Sequence, residues 1–377
     1  MNRRSFGVGA AACMLCGCAG SAPRSTASGS RLPDDLRPTR NAAYDTWVRG
    51  FRARAEDRGF SRSLIDEAFR GTGYLPGVVA RDRNQVEFRR TLEDYLAIAV
   101  SDERVSRGRT AFARHASTLA SIEATYSVDA HIVCAIWGLE SFYGDRQGSV
   151  PVVSATSTLA FDGRRGAFFE RQLLAALDIL RSGDITADRL TGSWAGAMGH
   201  TQFIPTSYQE FAVDFTGDGR RDIWSEDPSD ALASAAAYLA RNGWTTGVRW
   251  GSEIVSGDAP GRVIQPQAGG PKFAVTRNFD TIKRYNNSDS YAIGVGHLAD
   301  RIAGRPPLQT PFPPDAFGMT KDDRVALQEG LTRAGFDTGG ADGVIGPNSR
   351  AAIEGYQARI GVPVTGDPSI ALLRSLN

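Results

Sequence analysis

I-V-C-A-I-W-G-L-E-S-F-Y-G, residues Ile132 to Gly144, is an apolar run that ends in a single carboxylate, Glu140, followed at once by Ser141, two aromatics and a glycine. Ile132, Ala135, Ile136 and Leu139 recur at helical spacing, which predicts a core helix with Glu140 in its last turn. Ser127 or Asp129 would cap its start. A carboxyl group so placed sits where packed core meets open cleft. Desolvation disfavours the ionised form, so such a Glu can keep its proton near neutral pH and act as a general acid. The same pattern fits an ordinary polar residue closing a buried helix, so the chemistry depends on what surrounds it.

At 377 residues the chain has room for two or three domains. Lys+Arg 43 against Asp+Glu 42 leaves a net charge of +1, which argues against nucleic acid as a partner. At the N-terminus, Arg3 and Arg4 precede an apolar run of small residues from Phe6 to Leu15, too short to span a bilayer. That is the pattern of a secretory signal. Leu15-Cys16-Gly17-Cys18 resembles the lipobox of bacterial lipoproteins, which implies a signal peptide over residues 1–18 and a lipid anchor on Cys18. A plain signal peptide cut nearby is the alternative. Ala19, rather than Asp, follows Cys18, which in such lipoproteins implies transfer to the outer membrane. R-R-S-F also resembles a twin-arginine core, so the export route stays open. Cys13, Cys16 and Cys18 lie in the signal region, leaving Cys134 alone in the mature domain, a buried structural thiol with no disulfide partner there. The histidines, His115, His131, His200 and His297, have spacings unsuited to a zinc hydrolase.

Residues 19–41, rich in Ser, Pro, Arg and Gly, read as a tether. From Tyr44 to about Leu119 charged faces alternate with apolar stripes, as in W-V-R-G-F-R-A-R-A, S-L-I-D-E-A-F and V-E-F-R-R-T-L-E-D-Y-L, which predicts a series of helices. Beyond the central stretch, G-S-W-A-G-A-M-G-H-T-Q-F-I-P-T-S-Y (192–208) crowds Gly and Ala with Ser193, Gln202 and Tyr208. It reads either as a tight helix–helix junction or as the floor of a cleft. D-F-T-G-D-G-R-R-D-I-W (214–224) places oxygen side chains at positions one, three, five and nine, with Gly219 at the sixth, the EF-hand pattern. Ser225 stands where the closing Glu belongs, so Asp230 or Glu226 would have to complete a cation site; an acidic turn with an Asx motif is the alternative. An Ala-rich helix with Tyr238 follows, then a small β insertion between Trp244 and Ile282, then a helix after Tyr285. Pro306, Pro307, Pro311, Pro313 and Pro314 mark a linker over residues 304–318. Residues 319–377 read as a separate unit of three helices.

These motifs carry two resemblances. Residues 42–303 resemble lytic murein transglycosylases of the B type through G-L-E-S-F-Y-G, S-T-L-A-F-D, G-S-W-A-G-A-M-G, Q-F-I-P-T-S-Y, A-V-D-F-T-G-D-G and Y-N-N-S. The final unit resembles a peptidoglycan-binding domain through L-Q-x-x-L, D-G-V-I-G and Y-Q. The resemblance implies a mainly α, lysozyme-like α+β catalytic domain with a small β insertion, joined to a three-helix domain. It implies cleavage of the β-1,4 bond between N-acetylmuramic acid and N-acetylglucosamine, leaving a 1,6-anhydromuramic end. By motif position Glu140 is then the catalytic acid, and Ser193, Gln202, Tyr238, Asn286 and Tyr291 line the sugar cleft. Asp214, Thr216, Asp218, the Arg220 carbonyl and Asp230 match the family's cation loop, which would take a structural Ca2+ or Na+. No cofactor is needed for the chemistry. The expected partner is the glycan strand, with a membrane reached through the lipid anchor and a monomeric chain.

A single carboxylate suffices where the substrate's 2-acetamido group assists. Two rivals remain. A second carboxylate such as Asp145, Asp162 or Glu170 could activate water and make a lysozyme-like hydrolase. A lipoprotein that anchors the wall without cutting it would need only the last domain, although Glu140, Gln202 and Tyr238 together argue for catalysis.

Overall fold

The structure is a computed structural model that describes residues 32–84 and 90–376. The expectations for the signal peptide, for Cys18 and for most of the tether lie outside the described residues. Six helices lead in: α1 (Ala42–Asp57), α2 (Arg62–Ala68), α3 (Pro76–Arg83), α4 (Leu92–Ala99), α5 (Asp102–Arg114) and α6 (Ala116–Tyr126). Side chains of Asn41, Ser61, Thr91 and Ser101 accept first-turn amides and start four of them. The Thr91 cap makes α4 begin at Leu92.

The central stretch is α7 (Ala130–Ser141). Asp129 caps it by accepting from the amides of His131 and Ile132, while Ser127 takes a left-handed conformation and closes α6. Every α7 residue except His131 is buried, so the helix is enclosed all round rather than along one stripe. A Cβ at Gly138 would stand 2.5 Å from the Tyr143 ring, which is why that ring can close over the helix end.

After α7 the strand β1 (Val150–Pro151) leads into α8 (Val152–Asp162) and α9 (Gly166–Ser182), and β2 (Thr191–Gly192) returns antiparallel to β1 with Val150 opposite Gly192. The Gly/Ala-rich segment that follows is an irregular loop held by Gly192–Met198 and Met198–Phe203 bridges, not a helix–helix junction. Then come α10 (Pro205–Phe211), α11 (Ser229–Arg241) and the predicted β insertion, β3 (Gly251–Ile254), β4 (Arg262–Ile264) and β5 (Lys272–Val275), antiparallel in the order β3-β5-β4. The helices α12 (Arg277–Tyr285) and α13 (Asp289–Ile302) complete the large domain, with α13 packed along α7. Among the described residues the fold is thus mainly helical with two small sheets, as the resemblance implies.

The last unit holds α14 (Lys321–Arg333), α15 (Pro347–Ile360) and α16 (Ile370–Ser375) around its own core of Met319, Leu327, Leu331, Ile353, Tyr356 and Leu372. Its junction with the large domain is fastened. Glu253 on β3 accepts the linker amides of Gln309 and Thr310 at 2.8 and 2.7 Å. The Arg324 side chain, 4% exposed, donates to Glu93 at 2.6 Å, to Asp94 at 3.4 Å and to Asp315 at 3.1 Å, and also to the Gly343 and Met319 carbonyls. Removing one partner of a buried charge cluster leaves the others uncompensated. Arg324→Ala is therefore expected to cost about 3–5 kcal/mol, read as a fall in the urea midpoint of the C-terminal unit's unfolding.

Candidate active site

α7 delivers Glu140 to the end of an apolar helix at 8% exposure. The chain then leaves through Phe142, Tyr143 and Gly144, all at positive φ (54°, 60° and 94°), so the helix stops one residue beyond the acid. Non-glycine residues rarely adopt this conformation, and such strain collects at functional sites. Among the described residues, Gln202 at φ 52° and Ser127 at φ 57° are the other non-glycine cases, and Gln202 faces the same cleft as Glu140.

That cleft has a volume of about 560 Å³ and lies between α9, the 197–204 loop, α10, α11 and α12. Glu140, Gln202, Phe203, Tyr238 and Tyr285 form one part of its lining, and Arg171, Glu210 and Arg284 another. Gln202 donates through Nε2 to the carbonyls of Gly199 (2.8 Å) and Gln147 (3.0 Å), which turns its amide into a fixed feature of the wall. The Tyr238 hydroxyl donates to the Arg284 carbonyl at 2.7 Å, and burial pushes it up to about 12. Phe211 and Tyr285 pack edge-on against the Tyr238 ring at 4.6 and 4.9 Å, so the wall is aromatic and rigid, a surface suited to the apolar face of a sugar.

Tyr291, 2% exposed on α13, donates its hydroxyl to Glu140 Oε1 at 2.6 Å. Ser288 caps α13 and sets the helix start that aims this side chain at the acid.

These positions are those of a known family. Residues 43–260 and 254–300 match the Transglycosylase SLT domain family, and residues 320–376 match a peptidoglycan binding domain family. The chain belongs to the transglycosylase family. It is 40% identical to SltB3 of Pseudomonas aeruginosa, solved in complex with NAG-NAM-pentapeptide, with a TM-score of 0.71 over 89% of this chain and 100% of that one. It is 27% identical to Escherichia coli Slt35, solved in complex with calcium, with a TM-score of 0.60 over 70% of this chain and 93% of that one. The membrane-bound lytic murein transglycosylase B of Escherichia coli is 30% identical across 54% of this chain and 65% of its own length. The chain thus spans about two thirds of that curated relative.

Within this transglycosylase cleft the site residues inferred by motif separate. Glu140, Gln202 and Tyr238 line it together; Ser193, Asn286 and Tyr291 do not. The Ser193 hydroxyl accepts the Ala197 amide at 3.1 Å and shapes the loop, Asn286 ends α12, and Tyr291 is buried against the acid. The rival carboxylates are tied elsewhere: Asp145 to Arg107, Asp162 to Arg83 at 2.5 Å, and Glu170 to Arg54 at 3.0 Å. Phe168, Arg171, Glu210, Arg284 and Tyr285 are cleft residues that sequence reasoning passed over. Tyr285 opens the Y-N-N-S motif and was within reach of it; the rest carry ordinary helix-surface patterns.

The 214–222 loop winds round its first acid. Asp214 accepts amides of Gly217, Asp218 and Gly219 at 2.7 to 3.2 Å, which holds its carboxyl below the usual range, the Gly219 amide foremost. Thr216 and Asp218 stay in this exposed turn, and the Asp218 carboxylate accepts the Arg220 amide at 2.9 Å. The all-oxygen donor set suits a hard cation. Asp230, however, is spent on the backbone: Oδ1 accepts the amides of Phe215 (2.9 Å) and Thr216 (3.0 Å), and Oδ2 that of Asp222 (2.9 Å). Among the described residues no three His, Cys, Asp or Glu side chains converge as a metal cage. Asp230 thus braces the loop, and burial raises its carboxyl above the ordinary value despite those amides. Asp230→Ala strands three amides and is expected to destabilise the large domain by about 3 kcal/mol in denaturant unfolding, with Asp230→Asn losing less.

Proposed function

We propose that the protein is a lytic transglycosylase that cleaves the MurNAc-β-1,4-GlcNAc bond of peptidoglycan and leaves a 1,6-anhydro-MurNAc end. One observation carries this reading: a buried carboxyl, Glu140, opens into the cleft with the Tyr291 hydroxyl on Oε1, while Asp145, Asp162 and Glu170 are held in ion pairs outside it. Glu210 also lines the cleft, but it is exposed, where water solvates it. The complex of SltB3 with NAG-NAM-pentapeptide supports the same sugars as substrate.

In the first step Glu140 gives its proton to the glycosidic oxygen, the C1–O bond breaks, and the 2-acetamido group steadies the cationic C1. Glu140, now ionised and stabilised by the Tyr291 hydroxyl, takes the proton of the C6 hydroxyl, and O6 closes onto C1. The carboxyl returns to its starting form, and no water is consumed. Burial favours the protonated acid for the first half, and the donated hydrogen bond favours the carboxylate for the second.

The C-terminal unit holds the enzyme on its insoluble substrate, in keeping with its family match at residues 320–376. The signal pattern, Cys18 and Ala19 support a lipoprotein that acts in the periplasm from the outer membrane. The 214–222 loop is a structural element and enters no chemical step.

Mass spectrometry of products from purified sacculi tests the reaction. Muropeptides ending in 1,6-anhydromuramic acid are expected, and Glu140→Gln should lower their release by about 10²–10⁴-fold. Products heavier by one water would replace this reading with a hydrolase. Cys18→Ser is expected to shift the protein from the membrane fraction to the soluble periplasm and to abolish labelling by radioactive palmitate.

A further inference from the structure

His200 is 4% exposed and sits under the C-terminal end of α7, outside the cleft. Its ring and its backbone are both engaged. The Trp137 indole N–H donates to Nδ1 at 3.0 Å, the Ser225 carbonyl lies 2.7 Å from Nε2, and the Gln147 amide lies 3.1 Å from Nε2. The His200 carbonyl accepts the Ser141 hydroxyl at 2.6 Å, and its amide donates to the Ile223 carbonyl at 3.0 Å. An indole N–H can only donate, so Nδ1 is bare; a carbonyl can only accept, so the proton is on Nε2. One neutral tautomer satisfies Trp137 and Ser225, while the Gln147 amide nitrogen, itself a donor, packs against the Nε2–H without bonding to it.

The partners bracket the acid. Trp137 lies one turn before Glu140 on the same helix, and Ser141 follows it directly. The Ser141 hydroxyl also accepts the Gly144 amide at 3.0 Å, and a Cβ at Gly144 would come within 2.6 Å of the His200 ring. The ring therefore packs against the left-handed turn that ends α7. On its other side Gln147, through its carbonyl, accepts Gln202 Nε2 at 3.0 Å, and Gln202 lines the cleft.

We propose that His200 is a positioning residue for the transglycosylase reaction: it locks the end of α7 to the cleft loop and so fixes Glu140 relative to Gln202. The inference rests on the function proposed above. Its action runs through Trp137, Ser141 and Gln147, and the ring itself does not touch the sugar.

The test measures kcat, KM and thermal midpoint on soluble glycan fragments for His200→Phe, His200→Asn, Trp137→Phe and the His200→Phe/Trp137→Phe double variant. Phe fills the space without an acceptor for Trp137, so kcat should fall by about 10- to 100-fold with KM little changed, the size expected from a misplaced catalytic group. Asn offers an oxygen near the place of Nδ1 and should recover most of that loss. Trp137→Phe should resemble His200→Phe, and the double variant should lose little more, because both changes break one contact. Wild-type kcat in His200→Phe, a loss confined to KM, or strictly additive losses would overturn the proposal. Should His200→Phe fail to fold, His200→Asn near wild type with Trp137→Phe reduced in kcat still supports it, and full kcat in Trp137→Phe refutes it. Absence of anhydro product from the wild type itself would instead refute the functional reading.

Discussion

Placing a carboxyl group at the end of a fully enclosed apolar helix is the constraint on which the rest of the structure depends. The helix must stop at once, or Glu140 would be followed by another buried turn. It stops through Phe142 and Tyr143 in left-handed conformations, which cost about 1–2 kcal/mol each for side chains of this kind. Packing overdetermines the turn. Guanidinium groups of Arg104, Arg107 and Arg146 lie 4.5 to 5.1 Å from the Phe142 ring centre, and the Tyr143 hydroxyl donates to the Arg104 carbonyl at 2.9 Å. Glycine at 138 and 108 leaves the space that the Tyr143 ring and hydroxyl fill.

The cleft follows from that stop. α13 lies along α7 and brings Tyr291 up behind the acid, while the 192–204 loop comes from the other side and supplies Gln202 and Phe203. Both walls are held by backbone carbonyls that accept side-chain donors: Gly199 and Gln147 for Gln202, Arg284 for Tyr238, Thr201 for Tyr285. Each such bond consumes polar groups inside the protein and leaves aromatic faces toward the substrate. The wall-binding unit is fastened by the Arg324 cluster and the Glu253 clamp on the linker, so its distance from the cleft is set by contacts rather than by linker length. For a polymer substrate this replaces a diffuse effective concentration with a defined spacing.

Much of this was legible in the chain. The apolar run predicted α7, Asp129 was among its foreseen caps, the β insertion and the three C-terminal helices fell where the patterns placed them, and Glu140, Gln202 and Tyr238 meet in one cleft. Ser193, Asn286 and Tyr291 come from the same motifs but are seated in the scaffold around that cavity. A motif records that a residue is needed at a site without recording which way it faces.

The sequence by itself determined the helices of the central and C-terminal stretches and the place of Glu140 at the end of α7, because capping, periodicity and turn chemistry act over a few neighbouring residues. Tertiary structure alone decided which groups surround that acid. Tyr291 is 151 residues from Glu140, Gln202 is 55 from Gln147, and Arg324 is 231 from Glu93. Such pairs are selected by the packing of whole helices, and Asp230 shows the result most plainly: its carboxylate accepts three loop amides that the sequence spacing did not point to.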